Sequence, residues 1–376
     1  MCWCYSNNTL FTENNNGRLH KNIIMKLIKT VDAEGAVLCH DITQIIKGVT
    51  KDAVFRKGHV VTKEDIPVLL SVGKDQLYVW EKEEGMLHEN DGAEILCAMC
   101  KGEHMERSQA KEGKIELTAA CDGLLKVDNK GLKAVNGFGQ MMIATRHGNF
   151  AVKKGDKLAG TRIIPLVIEE EKMTKAKEAA MAATGNKPIL NLLPFKHKKV
   201  GIVTTGNEVF YGRIKDTFTP VIEGKLAEFD TEIIDHVTWN DDDTKVTASI
   251  LDMIHKGADI VVCTGGMSVD PDDKTPLAIK NTGADIVSYG APVLPGAMFM
   301  LAYYQVTEGD DTRTVAIMGL PGCVMYAKRT IFDLVLPRVM ADDKVTAEEL
   351  AALGPGGLCL NCPVCTFPNC GFGKGV

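Results

Sequence analysis

The residues best suited to chemistry are two glycine-bearing loops and the carboxylates beside them. Thr204-Thr205-Gly206-Asn207-Glu208 follows the apolar run Val200-Gly201-Ile202-Val203, and Thr264-Gly265-Gly266-Met267-Ser268 follows Asp259-Ile260-Val261-Val262-Cys263. Glycine reaches positive φ and lets main-chain N–H groups approach an oxyanion, so both loops read as oxyanion cradles, with Ser268 and Thr264 adding hydroxyl donors. A strand-to-helix turn also needs glycine simply to turn, but two such loops at equivalent strand ends favour a ligand. Carboxylates gather at the same places: Glu208 after the first loop, Asp216 opening a helix, Asp241 and Asp242 opening another, and Asp270, Asp272 and Asp273 after the second loop. Hard oxygen ligands of this kind suit a magnesium ion bridging phosphates or an oxoanion. Helix capping competes for the same residue type. It is the expected task of Asp241 and Asp242, whereas Asp273 is expected to serve the site.

Cysteines form the second constellation. Of the 12 in the chain, Cys359, Cys362, Cys365 and Cys370 crowd the end at a spacing that fits zinc in a Cys4 site or an iron–sulfur cluster. Pro363, Pro368 and Gly371 lie between them, which argues against core packing and for metal or redox binding on a terminal arm that acts in trans. Cys97-x2-Cys100-x3-His104, with His88 upstream, could also hold zinc, but buried cysteines are common and core packing is the expectation there. No role is expected for Cys2 and Cys4.

Composition restricts what these sites can serve. The chain has 376 residues, 45% hydrophobic and 24% charged, with 43 Lys+Arg against 49 Asp+Glu and a formal net charge of −6, so it reads as globular and of two or three domains. No basic block is present to displace counterions from a nucleic-acid backbone, so nucleic-acid binding is not expected. The longest apolar candidate, Ala291 to Tyr304, is short and carries Pro292, Pro295 and Gly296, so no membrane span is expected. Residues 1–24 are rich in asparagine and lack the pattern of a signal peptide; they read as a disordered extension or a start codon placed too early, and a cytoplasmic location is expected.

Two kinds of element must position the candidate residues. Residues 25–168 offer short β-branched segments between glycine turns, a β-rich α+β region of one or two small modules. Its best helix runs from Lys63 to Val72, with Thr62 as cap. Residues 169–197 read as a helical connector. From 198 to 341 strands alternate with helices, which predicts an α/β domain with a parallel sheet, three-layered and doubly wound. Its strands Val200 to Val203, Thr231 to His236, Asp259 to Cys263 and Val315 to Met318 alternate with helices over Pro220 to Phe229, Asp242 to Lys256 and Met325 to Met340. In such sheets ligands bind beyond the carboxyl ends of the strands, where the glycine loops fall. Residues 342–376 form a cysteine-rich tail.

The stretch from Lys198 to about Met340 resembles the molybdopterin-binding domain shared by molybdopterin adenylyltransferases, molybdopterin molybdenumtransferases and gephyrin. Thr204-Thr205-Gly206-Asn207-Glu208-Val209 is similar to the family's S/T-T-G-D/N-E-L, and Lys215-Asp216-Thr217 to its x-D-S/T-N. Thr264-Gly265-Gly266-Met267-Ser268-Val269 with Asp273 is similar to T/S-G-G-x-S-V-G-x-x-D, and Leu320-Pro321-Gly322 to L-P-G-N-P. Any one of these is weak; their common order is the strong feature. The resemblance implies that molybdopterin, its adenylylated form or finished molybdenum cofactor binds at the strand ends. In the transferase branch, adenylylated molybdopterin and molybdate give molybdenum cofactor and AMP with magnesium. Glu208 and Asp273 match carboxylates of that branch, with Asp216 beside them and Asp241 or Asp242 as a further match. Thr205, Gly206, Asn207, Thr264, Gly265, Gly266, Ser268, Pro321 and Gly322 then shape the pocket. Gly35-Ala36-Val37-Leu38-Cys39-His40-Asp41-Ile42 is similar to an opening G-x-V-L-A-x-D-I, and Cys121-Asp122-Gly123 faintly to M-D-G-Y, which would make Asp122 an acid contributed across a cleft.

Three departures bear on the chemistry. Phe218 and Cys323-Val324 replace polar positions of the family, and Leu294-Pro295-Gly296-Ala297-Met298 keeps the turn of a K-P-G-K-P segment without its lysines. Two cations beside an anion would stabilise negative charge, and Leu and Ala cannot. Two expectations follow: a molybdopterin molybdenumtransferase-like enzyme inserting molybdate or tungstate, or a non-catalytic carrier or sensor that hands the cofactor to a recipient molybdoenzyme. A metal-dependent interaction or redox protein built on the tail is the third. The resemblance also implies a homodimer.

Overall fold

A computed structural model of the chain describes residues 25–39, 41–46, 50–80, 84–309 and 311–375. The expected disordered extension at residues 1–24, Cys2, Cys4 and His40 lie outside the described residues.

The expected α/β region is built on a six-stranded sheet in the order Thr231–Trp239, Lys198–Thr205, Ile260–Thr264, Asp311–Leu320, Met300–Glu308, Asp285–Tyr289. The first four strands run parallel, and the last two join antiparallel. The sheet is therefore mixed where the sequence led us to expect a parallel one. The apolar run broken by Pro292, Pro295 and Gly296 turns out to lead into the strand Met300–Glu308.

Both faces of this sheet are covered because the middles of its inner strands, residues 200–203, 260–263 and 315–318, are apolar on both sides. Ile260 and Val262 pack into one buried cluster with Ile222 and Leu226 of the helix Thr219–Leu226 and with Phe332, Val335 and Leu336 of the helix Ile331–Met340. Val261 and Cys263 point the other way, toward Val246 and Ile250 of the helix Asp243–His255 and Ala278 and Ile279 of Thr275–Asn281. Full burial of such a side chain stabilises by about 1.5–3 kcal/mol, so two continuous clusters hold three layers together. The helix after Lys198–Thr205 thus lies on one face and the helix after its neighbour Ile260–Thr264 on the other. That divergence opens a crevice at the carboxyl ends of these strands.

Residues 84–194 have their own core. A four-stranded sheet in the order Met141–Thr145, Lys157–Ile163, Lys114–Ala119, Met105–Arg107 packs on the helices Glu89–Cys100 and Glu170–Thr184. The latter helix was expected as a connector. Instead it buries Met173, Ala176 and Ala180 in that core, since its alanines allow close approach. Cys97 and Cys100 are buried in the same cluster, and burial pushes the Cys100 thiol up to about 12. His88 caps the helix, accepting from the Asn90 N–H at 3.2 Å.

The strands Met25–Lys29, Gln76–Trp80 and Val37–Leu38 form a separate small sheet over Leu38, Leu69, Leu77 and Val79. Its helix Asp65–Ser71 is not capped by the Thr62 side chain. The Asp65 carboxylate instead accepts from the Thr62 N–H at 2.8 Å.

Candidate functional site

The two glycine loops meet. At Gly265, φ is +82° and at Gly266 +54°, so the chain turns sharply after Thr264 through conformations that glycine takes without strain. A Cβ on Gly265 would lie 2.1 Å from the Thr205 carbonyl oxygen. Glycine here lets two neighbouring strand ends close on each other. The buried Thr205 hydroxyl bridges them, donating to the Thr264 carbonyl at 3.2 Å and pairing with the Thr275 hydroxyl at 3.0 Å. Gly206 N–H donates to the Trp239 carbonyl at 3.2 Å, which ties in the third strand end.

Thr264 was expected to offer its hydroxyl to a ligand. It is buried and donates inward to the Thr204 hydroxyl at 3.3 Å, because a buried hydroxyl must find a protein partner. Thr204 in turn lies 3.1 Å from both the Thr219 hydroxyl and His236 Nε2. Ser268 is exposed, and its N–H donates to Asp273 Oδ2 at 2.9 Å, which closes the second loop.

The carboxylates divide by task. Asp216 accepts from the N–H groups of Phe218 and Thr219 at 2.8 and 3.1 Å and from the Thr219 hydroxyl at 2.6 Å. Burial opposes its ionisation, but these donors outweigh burial and hold its pKa below the ordinary carboxylate range. Asp216 therefore caps the helix that follows it. Asp242 caps as expected, accepting from Thr244 and Lys245 N–H groups at 3.1 and 3.3 Å. Asp241 differs: it accepts from the Asn207 N–H at 3.3 Å and faces the site. Burial raises its pKa, and the charges of Glu208, Asp273 and Asp272 push in the same direction against that N–H. Glu208 is exposed at the start of the short helix Asn207–Phe210.

Pro321 is buried and leads into the turn Gly322–Met325, and the Thr217 hydroxyl reaches Met325 Sδ at 3.1 Å. The Asp216-Thr217 motif and the Pro321-Gly322 loop are thereby joined at the same edge.

Two residues at this edge were not singled out from the sequence. Tyr289 donates its hydroxyl to the Met267 carbonyl at 2.8 Å, and burial followed by the charge of Asp273 raises its pKa. It sits on a strand with no apolar signature, so no periodicity could reveal it. Among the described residues, Asn240 Oδ1 is the buried side-chain oxygen with no partner. It is an unpaired acceptor in the residue before Asp241. Glu208, Asp272 and Asp273 lie close enough to Asp241 for their charges to act on it. Among the described residues, however, no three His, Cys, Asp or Glu side chains are arranged to hold a metal ion. That result covers the carboxylates, the Cys97–Cys100–His104 set and the tail cysteines alike.

Asp122 belongs elsewhere, accepting from Lys153 Nζ at 3.0 Å and the Lys154 N–H at 2.8 Å. Cys359, Cys362, Cys365 and Cys370 are free thiols on a tail folded against the α/β region, not on a detached arm. The tail is held because Leu294 N–H donates to the Gly357 carbonyl and Cys359 N–H to the Leu294 carbonyl, both at 2.8 Å. The segment expected to lack the family's lysines is thus the segment that receives the tail.

Comparison with known proteins places residues 201–341 in the range matched by a family described as a probable molybdopterin binding domain. Residues 27–81 match a family described as a domain of unknown function. Curated relatives include CinA-like proteins of Mycobacterium tuberculosis, 34% identical over 77 residues, and of Mycobacterium avium, 32% identical over 77 residues. Each alignment covers 20% of this chain and 18% of the relative, so the chain matches less than a fifth of those relatives' length. Among solved structures, the tungsten cofactor synthesizing protein MoaB from Pyrococcus furiosus is 20% identical, with a TM-score of 0.29, over 39% of this chain and 89% of that one. The protein CinA from Thermoplasma acidophilum is 16% identical, with a TM-score of 0.30, over 38% and 98%. On its ordered motifs and the family match, the region 201–341 of this chain is similar to the probable molybdopterin binding domain family.

Proposed function

We propose that the crevice between the Thr205 and Thr264 strand ends binds molybdopterin or its adenylylated form in molybdenum cofactor biosynthesis. The observation that carries this reading is the meeting of two glycine loops from adjacent strands whose helices diverge, with carboxylates gathered around the gap. In this reading Asn207, Ser268 and Asn240 orient the polar edge of the pterin, while the glycine turns keep side chains out of its way. Glu208, Asp241 and Asp273 are the residues that would hold a magnesium ion brought in by the ligand, and the ion would supply positive charge beside the anion. Asp216 positions the loop through its helix cap. When bound, adenylylated molybdopterin and molybdate supply the reaction itself, yielding molybdenum cofactor and AMP.

The second reading is a carrier or sensor serving a molybdoenzyme. It is favoured by Leu294 and Ala297, which offer no charge to an anion where the resembled family has lysines, and by the backbone bonds that commit Leu294 to the tail. Magnesium, a homodimer and a recipient enzyme belong to these readings as proposals.

Anaerobic purification followed by oxidation and pterin fluorescence tests the binding, and AMP release from adenylylated molybdopterin and molybdate separates the two readings. Bound pterin with AMP release that is lost in a Glu208→Ala, Asp273→Ala double variant supports the transferase. Bound pterin without AMP release supports the carrier, and absence of pterin refutes both.

A further inference from the structure

We propose that the cavity at the seam between the core of residues 84–194 and the α/β region binds a small carboxylate that carries an apolar body, with Lys374 facing the carboxylate. Its volume is about 340 Å³, within the range of about 300–1,000 Å³ usual for small-molecule sites, which favour boundaries between packed units. The wall comes from three stretches far apart in the chain: residues 127–150, residues 334–353 and Gly373 to Gly375. Val127 and Leu132 pack against the core of residues 84–194, while Leu334 and Leu350 belong to the α/β cluster. None of the lining residues belongs to the crevice, so this site stands or falls separately from the pterin reading.

The end of the tail sets Lys374 in this seam. A Cβ on Gly373 would lie 2.3 Å from Leu334 Cδ2, and one on Gly375 would lie 2.2 Å from the Ala352 carbonyl oxygen. Glycine on either side of Lys374 therefore lets the backbone lie directly on the helix Ile331–Met340 and on the end of Ala347–Ala351. Gly373 N–H donates to the Gly356 carbonyl at 3.0 Å, which anchors the stretch. Lys374 Nζ then stands 5.6 Å from the centre of the Phe150 ring.

The charges on the wall select the occupant. Arg146 Nη1 donates to Asp156 Oδ2 at 2.8 Å, and Arg338 is held by Asp343 and by Glu349, the latter at 2.8 Å. The other Glu349 oxygen accepts from the Thr346 N–H at 3.0 Å. These pairs cancel their own charge, whereas a ring face neutralises none, so the Lys374 ammonium over Phe150 can still take an anion. His147 lies within reach of the same charge. Burial and then Lys374 hold its pKa below the ordinary histidine range, so near neutral pH the imidazole is uncharged and keeps one N–H donor. One ammonium and one neutral donor match the two oxygens of a carboxylate monoanion. Leu132, Leu334, Leu350 and Leu353 line the remainder and suit a hydrocarbon body, which a bare inorganic anion would not supply.

The test is calorimetric titration of the full chain with hexanoate and benzoate. Hexanamide and benzamide keep the body and lose the charge, and inorganic phosphate has charge without the body. At least one of the two carboxylates should bind once per chain and raise the melting temperature, because the ligand bridges both cores. Its amide and phosphate should bind at least about tenfold more weakly. Lys374→Ala should weaken carboxylate binding by about tenfold or more, and Lys374→Arg should restore most of it. Ala352→Trp, at the exposed rim, should block binding by filling the mouth. Melting of each variant without ligand reports its fold, and retained pterin reports the crevice independently. A Lys374→Ala variant that melts early yet binds the carboxylate as tightly would make Lys374 a structural clamp and overturn the proposal. Equal binding of the amides, equal or tighter binding of phosphate, or no binding of either carboxylate would overturn it as well.

Discussion

Asp241 shows how single residues at the crevice feel one another. Burial and then the charges of Glu208, Asp273 and Asp272 hold its carboxyl above the ordinary range, so the folded protein binds that proton more tightly than the unfolded chain. Its contribution to stability is therefore fully present below the ordinary carboxylate pKa and is lost as pH rises through the raised folded value. Asp241→Asn should remove this part of the decline. Urea unfolding across a pH series should find the variant matching the original protein in acid and exceeding it near neutrality. A parallel decline in both would mean that Asp241 is solvated and uncoupled from its neighbours. The sequence showed that carboxylates gather here, but not which of Asp241 and Asp242 caps the helix. Both precede the same turn, and only the path of the chain aims one at Thr244 and the other at Asn207.

At the scale of elements, a buried ion pair joins the two helices on one face of the sheet. Lys225 Nζ of Thr219–Leu226 donates to Asp333 Oδ1 and Oδ2 at 2.7 and 2.9 Å. Arg329 and the Thr330 N–H add bonds to the same carboxylate at 2.8 and 2.7 Å. Removing one partner strands a buried charge, so Asp333→Ala should destabilise by about 3–5 kcal/mol. Equilibrium urea denaturation measures this, and a loss below about 1 kcal/mol would show that water reaches Lys225. The two helices that carry this pair were expected over Pro220 to Phe229 and Met325 to Met340, and they run over Thr219–Leu226 and Ile331–Met340, the second starting later because Thr330 and Asp333 cap it there. The strand pair Asp285–Tyr289 and Met300–Glu308 was not expected. The first is an edge strand whose side chains are exposed or half-buried, so it lacks an apolar signature, and proline and glycine interrupt the approach to the second.

Across the whole molecule, the tail ties separate cores together. Phe150, from the region with its own core, packs into the α/β cluster, with its ring 5.7 Å from Phe367 and Lys374 Nζ 5.6 Å from its ring centre. Lys126 and Asp343 pair at 2.8 Å across the same contact. Deleting residues 358–376 should therefore keep the pterin site and lower stability, with loss of the buried Phe372 alone worth about 3–5 kcal/mol. Calorimetry should record an earlier transition for the truncated chain while pterin fluorescence persists. An unchanged transition would show that the tail adds nothing to the contact, and loss of pterin would link tail and crevice.

The sequence by itself determined the alternation of strand and helix after Lys198, the placement of both glycine loops at strand ends, and the spacing of the tail cysteines. These are local properties of apolar runs, turn residues and intervals along the chain. Only the tertiary structure decided that Thr264 turns inward, that Glu170–Thr184 is core instead of connector, and that the tail docks on Leu294. Each of these depends on what is packed against a residue from far along the chain, because burial assigns a hydroxyl, an alanine face or a thiol its partner, and periodicity cannot see that partner.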